Sequence, residues 1–251
     1  SAFAINPTSG ELAVNASSAL DYESESLFSL TIQVSDGTNT GSGVVSVSIN
    51  NLNDNTPSVT AATFSINENA ANGTAVGTVA SADADGTLNT LTYSITSGNT
   101  NSAFAINPTS GELAVNASSS LDYESANSFS LTIQVSDGTN TGNGIVTVNL
   151  NNLNDNAPSI NGGVFTLDEN SANGIAVGTV VATDADGALN SLTYSIASGN
   201  TNSAFAINST TGAITINKTE EIDFETNPVF SLTVNVTDGT HSNNAIVTIN
   251  L

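Results

Sequence analysis

The sequence predicts an all-β protein built from tandem two-sheet β-sandwiches, and three features carry that prediction. The chain repeats itself with a period of 101 residues, so that Asp21 returns as Asp122 and again as Asp223. Such a fixed period indicates tandem copies of one module. Short runs rich in Val, Ile, Thr and Phe alternate with clusters of Gly, Asn, Asp and Ser, the pattern of short strands and turns. Helical periodicity is nearly absent.

The repeat divides the chain into one partial module and two complete modules. The string Asn-Asp-Asn-x-Pro ends a module at residues 53–57 and 154–158. The predicted domains are therefore residues 1–57, the C-terminal part of a module, and residues 58–158 and 159–251, two complete modules. Because the first lacks its front half, we expect it to leave apolar strand faces uncovered, and we expect the chain to be a segment of a longer array.

Each complete module is predicted to hold about seven strands, which fits an antiparallel two-sheet sandwich. Residues 129–135 place Phe, Leu, Ile and Val at every second position, the period of a half-buried strand. Residues 75–79, 91–95 and 144–150 follow the same pattern and are bounded by Asp-Gly, Ser-Gly and Asn-Gly turns. The fold class is therefore a tandem array of seven-stranded Greek-key, immunoglobulin-like sandwiches.

The charge of the chain excludes several classes of partner. There are 23 acidic residues and a single Lys or Arg, Lys218, which gives a net charge of −22. Nucleic acid is excluded as a partner because phosphate neutralisation needs Lys and Arg clusters. The same charge argues against anionic lipid surfaces, and no apolar run is long enough for membrane insertion in this segment. Cysteine is absent, which excludes disulfides and thiolate metal sites.

Most of the acidic residues fall in five motifs that recur with the repeat, each where a strand signal ends in turn residues. For the second module these are Asn67-Glu68-Asn69, Asp83-Ala84-Asp85, Asp122-Tyr123-Glu124, Asp137-Gly138 and Asn154-Asp155-Asn156. In strand geometry residues i and i+2 point the same way, so Asp83 with Asp85, and Asp122 with Glu124, are each predicted to aim two carboxylates at one point.

Carboxylates that close together repel one another unless they share a cation. Calcium takes roughly six to eight oxygen ligands from carboxylates, amide and backbone carbonyls and water. Zinc, copper and iron prefer Cys or clustered His, and the only histidine is His241. Magnesium gives up its water reluctantly, so the residues favour calcium.

In this order, the five motifs resemble the cadherin repeat, and the resemblance covers the whole chain. It implies about three calcium ions at each joint between consecutive modules, where ligands come from both modules and the linker. For the first joint it assigns Asp21, Glu23, Asn53, Asp54, Asn55, Asp83, Asp85, Asn89 and Asp137. For the second it assigns Glu68, Asp122, Glu124, Asn154, Asp155, Asn156, Asp184, Asp186, Asn190 and Asp238. It places Glu169, Asp223 and Glu225 at a joint beyond Leu251, and Asp36 at one before Ser1.

One departure from the family pattern affects the charge of both joints. The family linker usually begins with Asp, whereas this chain has Asn51 and Asn152. Each replacement removes one negative charge from its joint, so we expect the affinity for one ion to differ from the family's.

These observations predict a calcium-rigidified extender segment of a large extracellular adhesin or surface fibre. The alternative is a module that mediates adhesion directly, by binding itself or a polysaccharide. Low Lys, absent Cys and Met, and abundant Asn, Ser and Thr resemble large bacterial adhesins, which predicts a bacterial cell-surface location. A carboxylate pair such as Asp21 and Glu23 is also what a glycosidase uses, but that chemistry usually needs an aromatic-lined cleft, and this chain has no Trp and four Tyr. No enzymatic activity is predicted.

Overall fold

The protein is all-β, with its strands joined by turns. The computed structural model describes the backbone of residues 1–251 and every side chain except those of Thr87 and Ala188. The first 57 residues form strands β1 (Phe3–Ile5), β2 (Leu12–Val14), β3 (Leu27–Ser35) and β4 (Thr40–Ser48). No helix among the described residues has the length and apolarity needed to cross a membrane.

The second and third modules repeat one series of strands. The second contains β5 (Ser58–Val59), β6 (Ala62–Asn67), β7 (Ala75–Thr78), β8 (Ser81–Ala82), β9 (Thr92–Ser97), β10 (Phe104–Ile106), β11 (Glu112–Val115), β12 (Ser128–Ser136) and β13 (Thr141–Asn151). The third contains β14 (Ser159–Ile160), β15 (Gly163–Thr166), β16 (Ala176–Thr179), β17 (Ala182–Thr183), β18 (Thr193–Ser198), β19 (Phe205–Ile207), β20 (Ala213–Ile216), β21 (Val229–Thr237) and β22 (Ser242–Asn250). Single 3₁₀ turns lie at Ser17–Ala19, Gly86–Leu88, Thr100–Ser102, Ser118–Ser120, Gly187–Leu189, Thr201–Ser203 and Thr219–Glu221.

The strands of each complete module form two main sheets. In the second module the order is β6-β13-β12-β9 in one sheet and β10-β11-β7 in the other, with β5 paired to β8. The third module has the equivalent orders β15-β22-β21-β18 and β16-β20-β19, with β14 paired to β17. Counting β5 with β6 and β7 with β8 as interrupted strands gives seven per module. The predicted β-sandwich fold is confirmed.

The residues of strand β12 alternate between buried apolar side chains and polar side chains that are partly or fully exposed. In β12, Leu131, Ile133 and Val135 are fully buried while the residues between them are not. Their counterparts in the third module, such as Leu232, are buried in the same way. Each such side chain contributes about 1.5–3 kcal/mol through burial of apolar surface. The period-2 pattern of the sequence thus becomes the core between the two sheets.

Strand β3 differs from β12 only at its first residue, yet none of its apolar side chains is fully buried, and Leu27 and Val34 are exposed. Val34 is 71 % exposed, whereas its equivalent Val135 is fully buried. Strand β3 pairs with β4 over nine residues, but the 1–57 segment contains no equivalents of β6 to β9. The apolar face of β3 is thus left partly uncovered, while the assignment of residues 1–57 to a partial module stays a prediction.

Two compact units can be distinguished along the chain. One comprises Ser1–Asp122 and Ser128–Leu150, and the other Tyr123–Asn127 and Asn151–Leu251. The module boundaries at 57/58 and 158/159 stay predictions.

Gly98 must be glycine for two reasons. Its φ of +79° lies in the left-handed region, and a Cβ would lie 1.8 Å from the backbone oxygen of Ser130. Gly73 has a similar φ of +85°, but a Cβ there would meet no atom within 4 Å. The two glycines therefore separate backbone strain from a steric clash.

We expect Gly98→Ala to destabilise the protein more than Gly73→Ala. Left-handed backbone costs a non-glycine residue about 1–2 kcal/mol, which both variants incur. Gly98→Ala should lose about 1–3 kcal/mol more, because strand β12 must move to accept the new methyl group. Urea unfolding of both variants measures the difference, and equal losses would contradict the clash.

A carboxylate closes the hairpin between β3 and β4. Asp36 Oδ1 accepts hydrogen bonds from the backbone N–H groups of Asn39 (2.7 Å) and Thr38 (2.8 Å). These bonds favour the ionised carboxylate and hold the pKa of Asp36 below its ordinary value of 3.8.

The stabilisation from Asp36 should therefore depend on pH in one direction. Because folding lowers this pKa, the stabilisation is complete above about pH 4 and is lost as the pH falls through the folded-state pKa. We expect Asp36→Asn, which keeps the shape without the charge, to lose less stability between pH 5 and pH 2, about the range of carboxylate titration. Carboxyl NMR titration checks the pKa directly, and a midpoint above 3.8 would contradict this account.

Candidate metal centres

Two groups of carboxylates meet around Asp85 in the first unit. Glu23, Asp54 and Asp85 offer oxygens that all lie within 4.8 Å of one another, and so do Asp83, Asp85 and Asp137. Asp85 belongs to both groups and is only 2 % exposed. The structure thus brings together residues from the linker, from the turn after β8 and from the turn after β12.

Asp85 is held by amide groups of the linker. The backbone N–H of Asn55 donates to Asp85 Oδ2 (3.0 Å), and its side-chain Nδ2 donates to Asp85 Oδ1 (2.7 Å). Asn51 Nδ2 donates to the backbone oxygen of Asp85 (3.1 Å). These donors are neutral, so they hold the carboxylate in place without cancelling its charge.

Asn51 also contributes an acceptor that no donor meets. Its Oδ1 is buried and has no hydrogen-bond partner among the described residues. A buried acceptor left without a partner costs about 1–3 kcal/mol, and a cation would remove that cost. This orphan oxygen indicates that the Asp85 clusters fit a metal ion.

The turn after β12 supplies Asp137, which is 5 % exposed. Burial raises the pKa of Asp137. Hydrogen bonds to the carboxylate, led by those from the backbone N–H groups of Asn140 and Thr139, each 2.6 Å from Asp137 Oδ1, together lower it by more. The pKa of Asp137 therefore lies below its ordinary value. Asn140 Nδ2 also donates to the backbone oxygen of Asn55 (3.0 Å), and Asn53 Nδ2 donates to Thr139 Oγ1 (3.0 Å). The linker is therefore tied to this turn.

The second unit builds the same arrangement around Asp186, which is 3 % exposed. Glu124, Asp155 and Asp186 offer oxygens that all lie within 4.8 Å of one another. Asn156 donates from its backbone to Asp186 Oδ2 (3.0 Å) and from Nδ2 to Asp186 Oδ1 (2.8 Å). Asn152 Nδ2 donates to the backbone oxygen of Asp186 (3.3 Å).

This unit has two orphan acceptors. Asn152 Oδ1 and Asp184 Oδ2 are buried without a hydrogen-bond partner among the described residues. Asp184 Oδ1, by contrast, accepts from the backbone N–H of Asp186 (3.0 Å). A buried linker amide oxygen without a hydrogen-bond partner among the described residues occurs in both units. It is therefore a property of the repeat and not of the packing in one unit.

Asp238 sits in the turn after β21, where it accepts from the N–H groups of Thr240 and His241 at 2.6 Å. Burial raises the pKa of Asp238. These hydrogen bonds, led by that of His241, and the nearby imidazole together lower it by more, so the pKa of Asp238 lies below its ordinary value. His241 Nδ1 lies 3.6 Å from Asp238 Oδ2. Sequence reasoning missed this contact, although the three-residue spacing across an Asp-Gly turn was a usable signal.

The other predicted ligands lie outside the clusters around Asp85 and Asp186, and each has its own contacts. Glu68 is 1 % exposed, and one of its carboxylate oxygens lies within 4.8 Å of a carboxylate oxygen of Asp122. Asp21 accepts bonds from Ser24 Oγ (2.9 Å) and from the N–H groups of its own turn, and these lower its pKa. Asn89 and Asn190 are half-buried in extended backbone directly after a 3₁₀ turn. Asn154 Nδ2 donates to Thr240 Oγ1 (3.0 Å).

Another carboxylate cluster lies in the second unit. Glu169, Asp223 and Glu225 offer oxygens within 4.8 Å of one another. These are the residues that the sequence assigned to a joint beyond Leu251.

The strand argument for the paired acids was wrong. Asp83 and Asp85 follow β8 in a turn, where the N–H of Asp85 donates to Asp83 Oδ1 (3.1 Å). Asp85 has φ −68° and ψ −4°, which is not strand geometry. The pair converges because the turn folds the second carboxylate back. Asp122 and Glu124 also lie outside strands.

Comparison with known proteins identifies the family. The cadherin domain model matches residues 62–151 and 164–251. Human Protocadherin Fat 1 is 34 % identical over 261 residues, covering 99 % of this chain and 6 % of that protein. Mouse Cadherin EGF LAG seven-pass G-type receptor 2 is 32 % identical over 251 residues, covering 95 % and 8 %. The chain thus spans less than a tenth of either relative's length. Both are animal proteins, and the bacterial location predicted from composition stays a prediction.

Solved structures agree with the family match. Mouse protocadherin-24 EC1-3 has a TM-score of 0.75 at 25 % identity, covering all of this chain and 86 % of that one. Mouse cadherin-23 EC22-24 has a TM-score of 0.74 at 27 % identity, covering 96 % and 78 %. The predicted family is therefore confirmed, and the chain belongs to the cadherin domain family.

Proposed function

We propose that this chain is an extender segment of an extracellular adhesion protein, in which calcium ions bound at the joints between modules stiffen the array. One observation carries the proposal. In each unit a buried aspartate, Asp85 or Asp186, stands among other carboxylates beside an orphan amide oxygen. The chain's only Lys or Arg is Lys218, so protein cations cannot neutralise these sites.

The donor atoms fit calcium. Every side chain in the clusters offers oxygen, and the linker adds the amide oxygens of its asparagines. Hard oxygen ligands in this number are what calcium takes, whereas softer metals prefer sulfur and imidazole. Residues Glu23, Asp54, Asp83, Asp85 and Asp137 would hold ions in the first unit. When bound, the ions would cancel the repulsion between these carboxylates and link the parts of the chain that carry them.

The orphan oxygens of Asn51 and Asn152 extend the ligand set. Each lies at the position where the family usually has Asp, and each would contribute a neutral oxygen in place of a charged one. Because calcium affinity rises with the number of charged ligands, these joints should bind calcium at the weaker, extracellular end of the known range.

The repetition supports a role as an extender. Modules that differ little from one another suit a spacer, in which the number of modules sets the reach. The same family membership supports a location at the cell surface. Direct self-association remains an outcome of the tests below.

The central experiment compares unfolding and small-angle scattering with calcium and with chelator. At roughly millimolar calcium we expect the melting temperature to rise by at least about 5 °C and the chain to become more extended. Magnesium at equal concentration and sodium chloride at equal ionic strength separate binding from charge screening. Equal stabilisation by sodium chloride would mean that the acidic residues respond only to charge screening and bind no specific ion. A molecular mass from scattering that doubles in calcium would favour adhesion between copies of the chain.

A matched pair of variants locates the effect. Asp137 and Asp36 occupy equivalent turns with the same two backbone bonds, but only Asp137 has two other carboxylates within 4.8 Å in the clusters described above. We expect Asp137→Asn to weaken calcium binding on the order of tenfold, because it removes one charged ligand, and Asp36→Asn to leave binding unchanged. Isothermal titration calorimetry measures both, and equal losses would place the calcium elsewhere.

Asn152→Asp should change stability in opposite directions with and without calcium. In chelator it adds a charge beside Asp186 and removes the Asn152 Nδ2 donor, so the melting temperature should fall. In calcium the added charged ligand should raise affinity on the order of tenfold. Asn143→Asp, on an exposed position of β13, adds the same charge outside the clusters and should show neither effect. A gain in chelator would contradict the proposed site.

A further inference from the structure

Four Asn-Gly pairs occur in the chain, at 72–73, 143–144, 161–162 and 173–174. Such a pair can undergo spontaneous deamidation. The backbone nitrogen of the glycine gives up its proton and attacks Cγ of the asparagine, so that an N–Cγ bond forms, the Cγ–Nδ2 bond breaks, and the side-chain amide group takes up a proton and leaves as ammonia. Water then opens the resulting succinimide ring at one of its two carbonyls, which gives aspartate or isoaspartate. The reaction needs a glycine amide that is free to attack and an asparagine side chain that is free to turn towards it.

Two of the pairs are locked by hydrogen bonds at both reacting groups. Gly73 N donates to the backbone oxygen of Val115 (2.7 Å), and Asn72 Oδ1 accepts from the N–H of Ser118 (2.6 Å). The third module repeats this arrangement: Gly174 N donates to Ile216 O (2.8 Å). There, Asn173 Oδ1 accepts from the N–H (2.6 Å) and Oγ1 (2.8 Å) of Thr219. Local opening must precede attack at either pair.

The third pair lies inside a long strand ladder. Asn143 and Gly144 are opposite Gln134 and Ile133 in the nine-residue pairing of β12 with β13. Cyclisation requires the backbone to leave its extended conformation, so the ladder must break first.

The pair Asn161–Gly162 differs from the other three. It lies between β14 and β15, outside either strand, and both residues are exposed. Among the described residues, neither the Asn161 side chain nor the Gly162 amide has a hydrogen-bond partner. We propose that Asn161 is the site at which the folded protein deamidates, while the other three Asn-Gly pairs are protected by the fold.

The product would strain its surroundings. Isoaspartate inserts an additional methylene into the backbone, and Gly162 is closely approached: a Cβ there would lie 2.1 Å from the backbone oxygen of Ile246. Strand β15 begins at the next residue and pairs with β22 in parallel. The modification would therefore disturb the start of that pairing.

The test is to age the folded protein at about 37 °C, below the melting range of most mesophilic domains, in mildly alkaline buffer that contains calcium. Peptide mapping by mass spectrometry follows each Asn-Gly pair, and isoaspartyl methyltransferase with a radiolabelled methyl donor reports isoaspartate. We expect the Asn161 peptide to convert at least about tenfold faster than the three others, because theirs must open locally first. In concentrated urea, the four rates should converge.

The variant Asn161→Thr, which carries the residue found at the equivalent position Thr60, should abolish the early mass change and leave the melting temperature unchanged. Conversion at Asn72, Asn143 or Asn173 at a rate equal to that at Asn161 in the folded protein overturns the proposal. So does an Asn161 peptide that converts in urea but not in the folded state.

Discussion

The burial of two carboxylates, Asp85 and Asp186, is the constraint on which the linkers depend. Burying an ion without a counter-ion costs several kcal/mol, and the chain has a single Lys or Arg with which to offset it. The linkers respond with amide donors: Asn55 and Asn156 each give both their backbone and side-chain N–H groups to one buried carboxylate. These hydrogen bonds couple the conformation of each linker to the charge of its buried carboxylate. A change in the charge of Asp85 or Asp186 must therefore change the hydrogen bonds that hold the linker.

The amide donors also preorganise the sites. Carboxylates that are already fixed lose less conformational freedom when an ion arrives, which lowers the entropic cost of binding. The turns carrying Asp137 and Asp238 serve the same end, since two backbone N–H groups orient each carboxylate before any ligand is present. The neutral asparagines of each linker therefore act as a scaffold, while Asp54, Asp155 and the other acids supply the charge.

The sequence was sufficient for the fold because its alternation is regular: the run 129–135 became part of β12, and the run 75–79 matches β7 to within a residue. It also identified acids that the structure gathers into clusters. It failed on how Asp83 and Asp85 converge, because periodicity does not reveal that the chain leaves strand geometry at Asp85. The orphan oxygen of Asn51 was equally hidden, since it depends on which donors the folded chain brings near.

The near identity of β3 and β12 has a consequence for folding. The two strands share eight of nine residues, and β3 leaves partly or fully exposed the apolar positions that β12 buries. Strand β13 therefore has two nearly identical candidate partners, which is the condition under which repeat proteins misassemble between adjacent modules. Duplication adds modules to the chain with little new sequence. Because the copies are nearly identical, correct pairing then depends on each module folding before its strands meet those of its neighbour.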